Sequence, residues 1–92
     1  MNDYAVDRIE WYVDKLRDLN FYVSRRAEKN SVTTYYLISA TDWRNSVIIS
    51  CHDLSCFRLD ILYVNADNSF HFTENDFDVL LTKIKTDTSM NF

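Results

Sequence analysis

The stretch DYAVDRIEWYVDKLRDL, residues 3 to 19, predicts an amphipathic helix around which the rest of the chain is organised. At about 100° per residue its apolar side chains fall in one sector, the repeat of a helix that lies on a core. These side chains belong to Ala5, Val6, Ile9, Tyr12, Val13, Leu16 and Leu19. This side of the helix is therefore predicted to pack against the other elements.

The opposite side of the same helix carries a line of carboxylates, the acidic stripe. It consists of Asp3, Asp7, Glu10, Asp14 and Asp18. The stripe covers roughly 80° of the circumference and about 22 Å of the helix length. Like charges four residues apart destabilise a helix by about 0.2–0.5 kcal/mol per pair, and Trp11 stands within the stripe, although tryptophan is more typical of interface anchors. Both features favour a partner-binding surface over the alternative, a solvated helix face.

The segments that follow change to the alternation of β-strands. Connections of about four residues between consecutive strands favour an antiparallel meander. The predicted strands, rich in β-branched and aromatic residues, are residues 21–27, 32–40, 47–51 and 57–63.

A second helix is predicted after a loop at residues 65–69. Thr73 and Asp76 resemble a capping box that opens this helix, which is expected to run to about residue 85. Each helix has an apolar side that needs cover, so both are expected on the sheet or at a subunit boundary. The predicted fold is α+β, a four-stranded antiparallel β-meander flanked by N-terminal and C-terminal α-helices (αββββα), in a single domain over residues 1–92.

The chain contains neither glycine nor proline. A phosphate-cradling loop, a dinucleotide-binding fingerprint and a nucleophile elbow all need glycine where the backbone approaches a ligand or takes a positive φ. These kinds of site are therefore excluded. The turns are predicted to use asparagine, aspartate and serine, which tolerate the left-handed region.

One group of side chains has the chemistry of a zinc site: Cys51, His52, Asp53, Cys56 and His71. These residues lack the paired C-x-x-C spacing of a strong zinc motif, and Cys51 lies in an apolar strand, where cysteine behaves as a small hydrophobe. A Cys51–Cys56 pairing across a turn stays open, but a cytoplasmic chain is expected to keep both thiols reduced.

Catalysis is not expected either. A serine triad from Ser50 or Ser55 with His52 and Asp53 fails because neighbours on one strand point to opposite faces. Carboxylates on a convex helix provide no cleft for glycoside hydrolysis. The sequence therefore predicts no enzyme activity, no metal and no cofactor.

The net charge of −4 is concentrated towards the two ends of the chain. Residues 1–19 carry −2, residues 20–66 carry +1 and residues 67–92 carry −3. A nucleic-acid-binding protein usually shows a basic stripe, whereas the basic cluster here is only Arg25, Arg26 and Lys29. An aromatic stacking platform for single-stranded nucleic acid would lie in an acidic field; its members would be Tyr35, Tyr36 and Tyr63. Direct nucleic-acid binding is not expected.

The apolar runs are too short for a membrane span, and the first residues resemble neither a signal nor a transit peptide. We therefore expect no membrane contact and a cytoplasmic location.

A small, acidic, glycine-free domain with a linear array of carboxylates has the profile of a DNA mimic, a protein that competes with DNA for a basic groove. In length, acidity and general character the whole chain resembles the anti-restriction nuclease (Arn) proteins of T-even-type phages, and no short motif carries a family residue over to a numbered position. The resemblance implies a dimeric phage protein in the host cytoplasm that inhibits a restriction endonuclease specific for modified cytosine. A histone-like nucleoid protein of the host is a second implied partner.

The net charge of −4 is low for a mimic of a duplex that carries about one charge per 1.7 Å. An acidic surface shared by two subunits is therefore expected. The aromatic content, which exceeds what so small a core can hold, also favours a homodimer, most simply a symmetric one. The edge of the fourth strand and the segment ending in Phe92 are the candidate interfaces.

A second hypothesis is a protein-interaction module that binds its target through exposed aromatic surface, with the acids serving solubility. The candidate residues are Trp11, Trp43, Phe70 and Phe72. Salt separates the two hypotheses, because binding through the acidic stripe would weaken steeply as salt rises.

Overall fold

A computed structural model of the chain describes residues 3–52 and 59–89, with side-chain placement for residues 9–51 and 59–87. The elements in chain order are α1 (Asp3–Arg17), β1 (Phe21–Lys29), β2 (Val32–Ser39), β3 (Asn45–His52), β4 (Leu59–Asn65), β5 (Asn68–Thr73), a short 3-10 helix (Glu74–Asp76) and α2 (Phe77–Ser89).

The strands form one five-stranded antiparallel sheet in the order β1-β2-β3-β4-β5. The prediction of four strands was therefore wrong. The segment around Phe70 and Phe72 is the fifth strand, and it pairs with β4 from Asp60 opposite Thr73 to Asn65 opposite Asn68. The meander topology and the helices at both ends are as predicted.

The fifth strand was missed because residues 65–69 have the composition of a loop. In the structure only Ala66 and Asp67 form the connection, since Asn65 and Asn68 already pair as strand residues. The side chains from Ser69 to Thr73 alternate polar and aromatic, which is the period of a strand. That signal was present in the sequence, but the polar turn before it concealed the strand.

The second helix also differs from its prediction. Thr73 precedes a 3-10 turn and makes no side-chain capping bond to the backbone; its hydroxyl instead bonds the Asp76 carboxylate at 3.2 Å. The α-helix proper begins at Phe77 and continues to Ser89, past the predicted end near residue 85.

The turns are built without glycine at some conformational cost. Asn20, Asn30 and Ser31 take positive φ, as predicted for asparagine and serine. Asn30 and Ser31 are the two central residues of the β1–β2 hairpin, in which a type I′ turn needs positive φ at both positions. Ala66 also takes a positive φ of 54°, which for alanine costs about 1–2 kcal/mol.

Both helices pack on the same face of the sheet. Alternate side chains of β2, β3 and β4 point to this face and form one hydrophobic core with the helices. The core comprises Ile9, Tyr12, Val13, Leu16, Phe21, Tyr35, Leu37, Val47, Ile49, Cys51, Leu59, Ile61, Tyr63, Phe77, Leu80 and Ile84. Among the described elements none covers the opposite face, which is called the outer face below.

The two faces of β4 lead to a direct test. Ile61, 1% exposed, faces the core, whereas its neighbour Leu62 lies on the outer face. We expect Ile61→Asp to cost about 4 kcal/mol or more and to unfold the domain, because it buries an unpaired charge. Leu62→Asp, the matched control, should cost about 1 kcal/mol and leave a folded protein. Urea unfolding followed by circular dichroism measures both; the reverse order would mean that the faces are exchanged.

Candidate partner-binding surface

The structure gathers the charged ends of the chain on one side of the sheet. The segments 3–19 and 73–89 contain nine acids and five bases, a net charge of −4, whereas residues 20–72 contain five acids and five bases. Because α1, the 3-10 helix and α2 lie on one face, the helical layer formed by these segments carries the whole net charge of the protein. The sequence showed the acidic ends but not that they lie side by side.

Glu10 differs from the other described members of the acidic stripe. It is half-buried, and its Oε1 accepts a hydrogen bond of 3.0 Å from the hydroxyl of Tyr35 on β2. The same tyrosine oxygen accepts a 3.2 Å bond from Arg26 Nε on β1. Glu10 therefore ties α1 to the sheet rather than standing in solvent.

This network of Glu10, Tyr35 and Arg26 also changes the pKa values of the tyrosine and the arginine. Burial raises the pKa of the Tyr35 hydroxyl, the bond from Arg26 opposes that rise, and the bond to Glu10 adds to it. The bond to Tyr35 is the main reason why the pKa of Arg26 is raised. The network accordingly favours a neutral phenol between a guanidinium and a carboxylate.

Of the remaining residues of the acidic stripe, two are exposed to solvent and two have side chains outside the described part of the chain. Asp14 is exposed and forms an ion pair of 3.1 Å with Arg17, one turn further along α1. Asp18 is exposed near the end of the helix. Asp3 and Asp7 lie on α1 by their backbone, but their side chains fall outside the described residues.

Trp11 lies at the junction of the two helices. Its side chain is 53% exposed, and its ring contacts Tyr12 edge-on at 4.9 Å and Phe77 of α2 at 6.0 Å. The Lys15 ammonium stands 5.3 Å above the ring. The tryptophan is therefore anchored on one side and open to a partner on the other.

Beside Trp11 runs a groove of about 420 Å³ between α1 and α2, lined by Trp11, Lys15, Asp18, Leu19, Asp78, Leu81 and Lys85. The lining combines three apolar side chains with two carboxylates and two ammonium groups, and the carboxylates belong to Asp18, just after the end of α1, and to Asp78 of α2. Asp78 lies on α2, outside the acidic stripe of α1, and was therefore not predicted to belong to the partner-binding surface. Its place in the first turn of α2, where acids complement the helix dipole, was the available signal.

Tyrosine hydroxyls of the described residues bond three carboxylates of the helical layer, two from the sheet and one from within the layer. Besides the bond to Glu10, Tyr12 donates to Glu74 at 2.8 Å and Tyr63 donates to Asp87 at 2.8 Å. The Lys83 ammonium stands 3.8 Å from the same Asp87 carboxylate. Among the described acids of the helical layer, Glu10, Glu74 and Asp87 therefore each bond a tyrosine hydroxyl.

Of the side chains with the chemistry of a zinc site, the two that the structure describes, Cys51 and His71, lie on opposite faces of the sheet. Cys51 is buried in the core, whereas His71 pairs opposite Leu62 and lies on the outer face. Asp53, Cys56 and the His52 side chain lie outside the described residues, as does any Cys51–Cys56 pairing. Within the described part of the chain no three His, Cys, Asp or Glu side chains form a cluster that could hold a metal.

The four aromatic residues of the second hypothesis occupy different environments. Phe70 and Phe72 are half-buried and pack against the core, and Phe70 lies 6.2 Å from the Tyr63 ring. Trp43, in the β2–β3 turn, is 80% exposed. Only the two tryptophans of this set are open to a partner.

Comparison with known proteins adds no relative: no family model matches the chain, and neither a curated protein nor a solved structure is significantly similar to it. Over the described residues, none of the helices has the length and apolar character needed to cross a membrane.

The Tyr63–Asp87 bond gives a test of how the helical layer is held. We expect Tyr63→Phe to lower the free energy of unfolding at neutral pH by about 1.5–3 kcal/mol, because a hydrogen bond to a charged acceptor is lost. Burial and the bond to Asp87 raise the pKa of Tyr63, so its contribution is present below the ordinary tyrosine pKa of about 10 and is lost as the pH rises above it. The variant should therefore lose less stability than the wild type between about pH 8 and pH 11.

Urea unfolding at both pH values measures this difference. Tyr22→Phe, which removes a hydroxyl from a side chain that is 49% exposed, is the matched control and should leave the stability at neutral pH unchanged. If the free energy of unfolding fell equally between these pH values in the wild type and in Tyr63→Phe, the role given to this bond would be contradicted.

Proposed function

We propose that this protein is an acidic DNA mimic that inhibits a DNA-binding host protein by occupying its DNA-binding site. The observation that carries the proposal is the charge of the helical layer: the whole net charge of −4 lies on one side of the sheet. A basic groove attracts such a layer for the same reason that it attracts phosphates.

The binding surface consists of the exposed acids of the helical layer, two of which, Asp18 and Asp78, line the groove between α1 and α2. These described acids are Asp14, Asp18, Asp76 and Asp78. Glu10, Glu74 and Asp87 support this surface from beneath, because their carboxylates accept bonds from tyrosines. Trp11 is half-exposed and lines the groove, where it supplies an apolar contact between the acids.

The spacing of the charges bears on how closely such a surface can imitate DNA. Acids four residues apart on a helix are separated by about 6 Å along the axis, whereas the phosphates of one strand recur about every 3.4 Å. One carboxylate therefore corresponds to between one and two phosphates of a strand. This density suits partial occupation of a basic groove, with binding that depends on a few ion pairs and on the apolar contact of Trp11.

The identity of the target follows from the resemblance to the Arn proteins. On that basis the inhibited protein is a host restriction endonuclease specific for modified cytosine, a histone-like nucleoid protein is a second target, and the protein acts in the host cytoplasm during phage infection. The inhibitor has no catalytic role in this scheme, because it only excludes DNA.

Neutralising the groove acids tests the proposal. We expect Asp18→Asn with Asp78→Asn to weaken binding to the endonuclease roughly tenfold, because two exposed ion pairs at about 0.2–1 kcal/mol each approach the 1.4 kcal/mol of a tenfold change. The affinity of the wild type should also fall steeply between about 50 and 200 mM salt. Isothermal titration calorimetry at several salt concentrations measures both effects.

The matched control removes the same charge away from the helical layer, by Glu28→Gln on β1 with Asp67→Asn in the β4–β5 turn, two residues that are also exposed. This control should bind as the wild type does. Equal binding by the two double variants, or a ternary complex of endonuclease, DNA and inhibitor, would reject DNA mimicry.

The second candidate function, a module that binds through aromatic surface, is favoured by one observation, the 80% exposure of Trp43. Its target would contact the β2–β3 turn rather than the helical layer. Trp43→Ala should then abolish binding at every salt concentration, whereas DNA mimicry predicts little change from this substitution.

A further inference from the structure

The sheet ends on one side at β5 and on the other at β1. The edge of the fourth strand, expected as a subunit interface, is not available because β5 covers it, and Phe92, the other candidate, lies outside the described part of the chain. β5 has six residues and leads directly into the 3-10 helix. β1 has nine, and among the described elements only β2 pairs with it. The backbone N–H and C=O groups on its free edge are therefore open to a further strand.

β1 differs in charge from the rest of the protein. It contains three cations, Arg25, Arg26 and Lys29, and one acid, Glu28, so its net charge is +2. Because the whole chain carries −4, the remainder carries −6. Each of the other described helices and strands is neutral or negative. A positive edge on an acidic protein attracts a negatively charged partner and repels a positively charged one.

Two of the three cations are free to meet carboxylates of a partner. Arg26 is already paired with Glu28 at 2.7 Å. Within the described part of the chain, Arg25 and Lys29 form no ion pair, and both are exposed. The Arg25 guanidinium stands 5.2 Å above the ring of Tyr36 on β2, so it leans away from the free edge and leaves the backbone there uncovered.

The surface next to this edge is apolar. On the outer face, β2, β3 and β4 carry half-buried apolar side chains, namely Val32, Tyr36, Ile38, Ile48, Leu62 and Val64. Arg25 and Lys29 therefore form a positive border to an apolar face.

The spacing of the two cations defines the acids that match them. A bulge at Ser24 interrupts the pairing with β2, and the regular part of β1 runs from Arg25 to Lys29. The two residues pair with Tyr36 and Val32, so both lie on the outer face, about 13 Å apart at about 3.3 Å per residue. A further strand with acids four positions apart places one carboxylate opposite each cation, whichever way that strand runs.

We propose that the free edge of β1 binds an extended acidic segment of another protein by strand addition. The backbone of the segment bonds the open edge, and its two acids face Arg25 and Lys29. A second copy of this chain does not suit the edge, because two β1 strands paired antiparallel over residues 25–29 bring like charges together. Nucleic acid offers phosphates to the cations but no peptide groups to the edge. The inference does not depend on DNA mimicry, which concerns the helical layer.

A synthetic peptide tests this binding directly. It has about nine residues, is rich in threonine and valine for strand propensity, and carries a fluorescein label and two glutamates four positions apart. Fluorescence anisotropy with the wild-type protein should show saturable binding that weakens as salt rises. The same peptide with glutamines in place of the glutamates should bind roughly tenfold more weakly, because both charge pairs are lost.

Charge exchange locates the contact on β1. Arg25→Glu with Lys29→Glu should bind the acidic peptide at least tenfold more weakly than the wild type does, and should prefer a peptide with lysines in place of the glutamates. Arg17→Glu with Arg44→Glu, the matched control, makes the same change of net charge at two exposed cations outside β1 and should bind the acidic peptide nearly as the wild type does. Cooperative thermal unfolding checks that each variant is folded.

N-methylation separates strand addition from charge attraction alone. A strand bonds its neighbour through every second residue, so only one alternating set of the peptide N–H groups faces β1. Two acidic peptides, each N-methylated on one of the two alternating sets, should therefore differ at least tenfold in affinity for the wild type.

Cations and bulges on an edge strand also protect against pairing with other edges. Absence of binding by the acidic peptide to the folded wild type would leave β1 with this protective role only and would overturn the proposal. Equal affinity of the two methylated peptides, or the same loss of binding in the control variant, would overturn it as well. So would a single-stranded oligonucleotide that binds this edge more tightly than the peptide, or a wild-type dimer joined through β1.

Discussion

Three hydrogen bonds from tyrosine hydroxyls to carboxylates hold the helical layer in place. Tyr35 on β2 bonds Glu10 of α1, Tyr63 on β4 bonds Asp87 of α2, and Tyr12 of α1 bonds Glu74 before α2. Bonds to a charged acceptor are worth about 1.5–3 kcal/mol each when well placed. These directional bonds add to the packing by which the apolar sides of both helices fill the core.

This construction divides the described acids of the helical layer into two groups. The carboxylates that meet tyrosines are half-buried and serve the fold, whereas Asp14, Asp18, Asp76 and Asp78 remain exposed. The sheet, in contrast, has no net charge between residues 20 and 72 and presents an apolar outer face. The molecule thus has a charged helical side and an apolar sheet side, and these two surfaces lie on opposite faces of the sheet.

The sequence predicted the parts of this fold that depend on local periodicity. The apolar side of α1, the meander and the need for asparagine and serine at the turns all follow from residue spacing and from the absence of glycine. The fifth strand was missed because a polar two-residue turn resembled a longer loop. The half-burial of Glu10 and the presence of Asp18 and Asp78 in one groove were not predictable, because they depend on the rotation of α1 and the position of α2 in the folded chain.

The central claim, that the exposed acids of the helical layer contact the DNA-binding partner, is tested most directly by carbodiimide labelling of carboxylates read by mass spectrometry. The protein is labelled alone, with the modified-cytosine-specific endonuclease, and with the endonuclease and excess DNA. The account predicts that Asp18 and Asp78 lose reactivity in the complex and regain it with DNA, while Asp67 on the sheet reacts equally throughout. Unchanged reactivity of Asp18 and Asp78 in a demonstrated complex would contradict it.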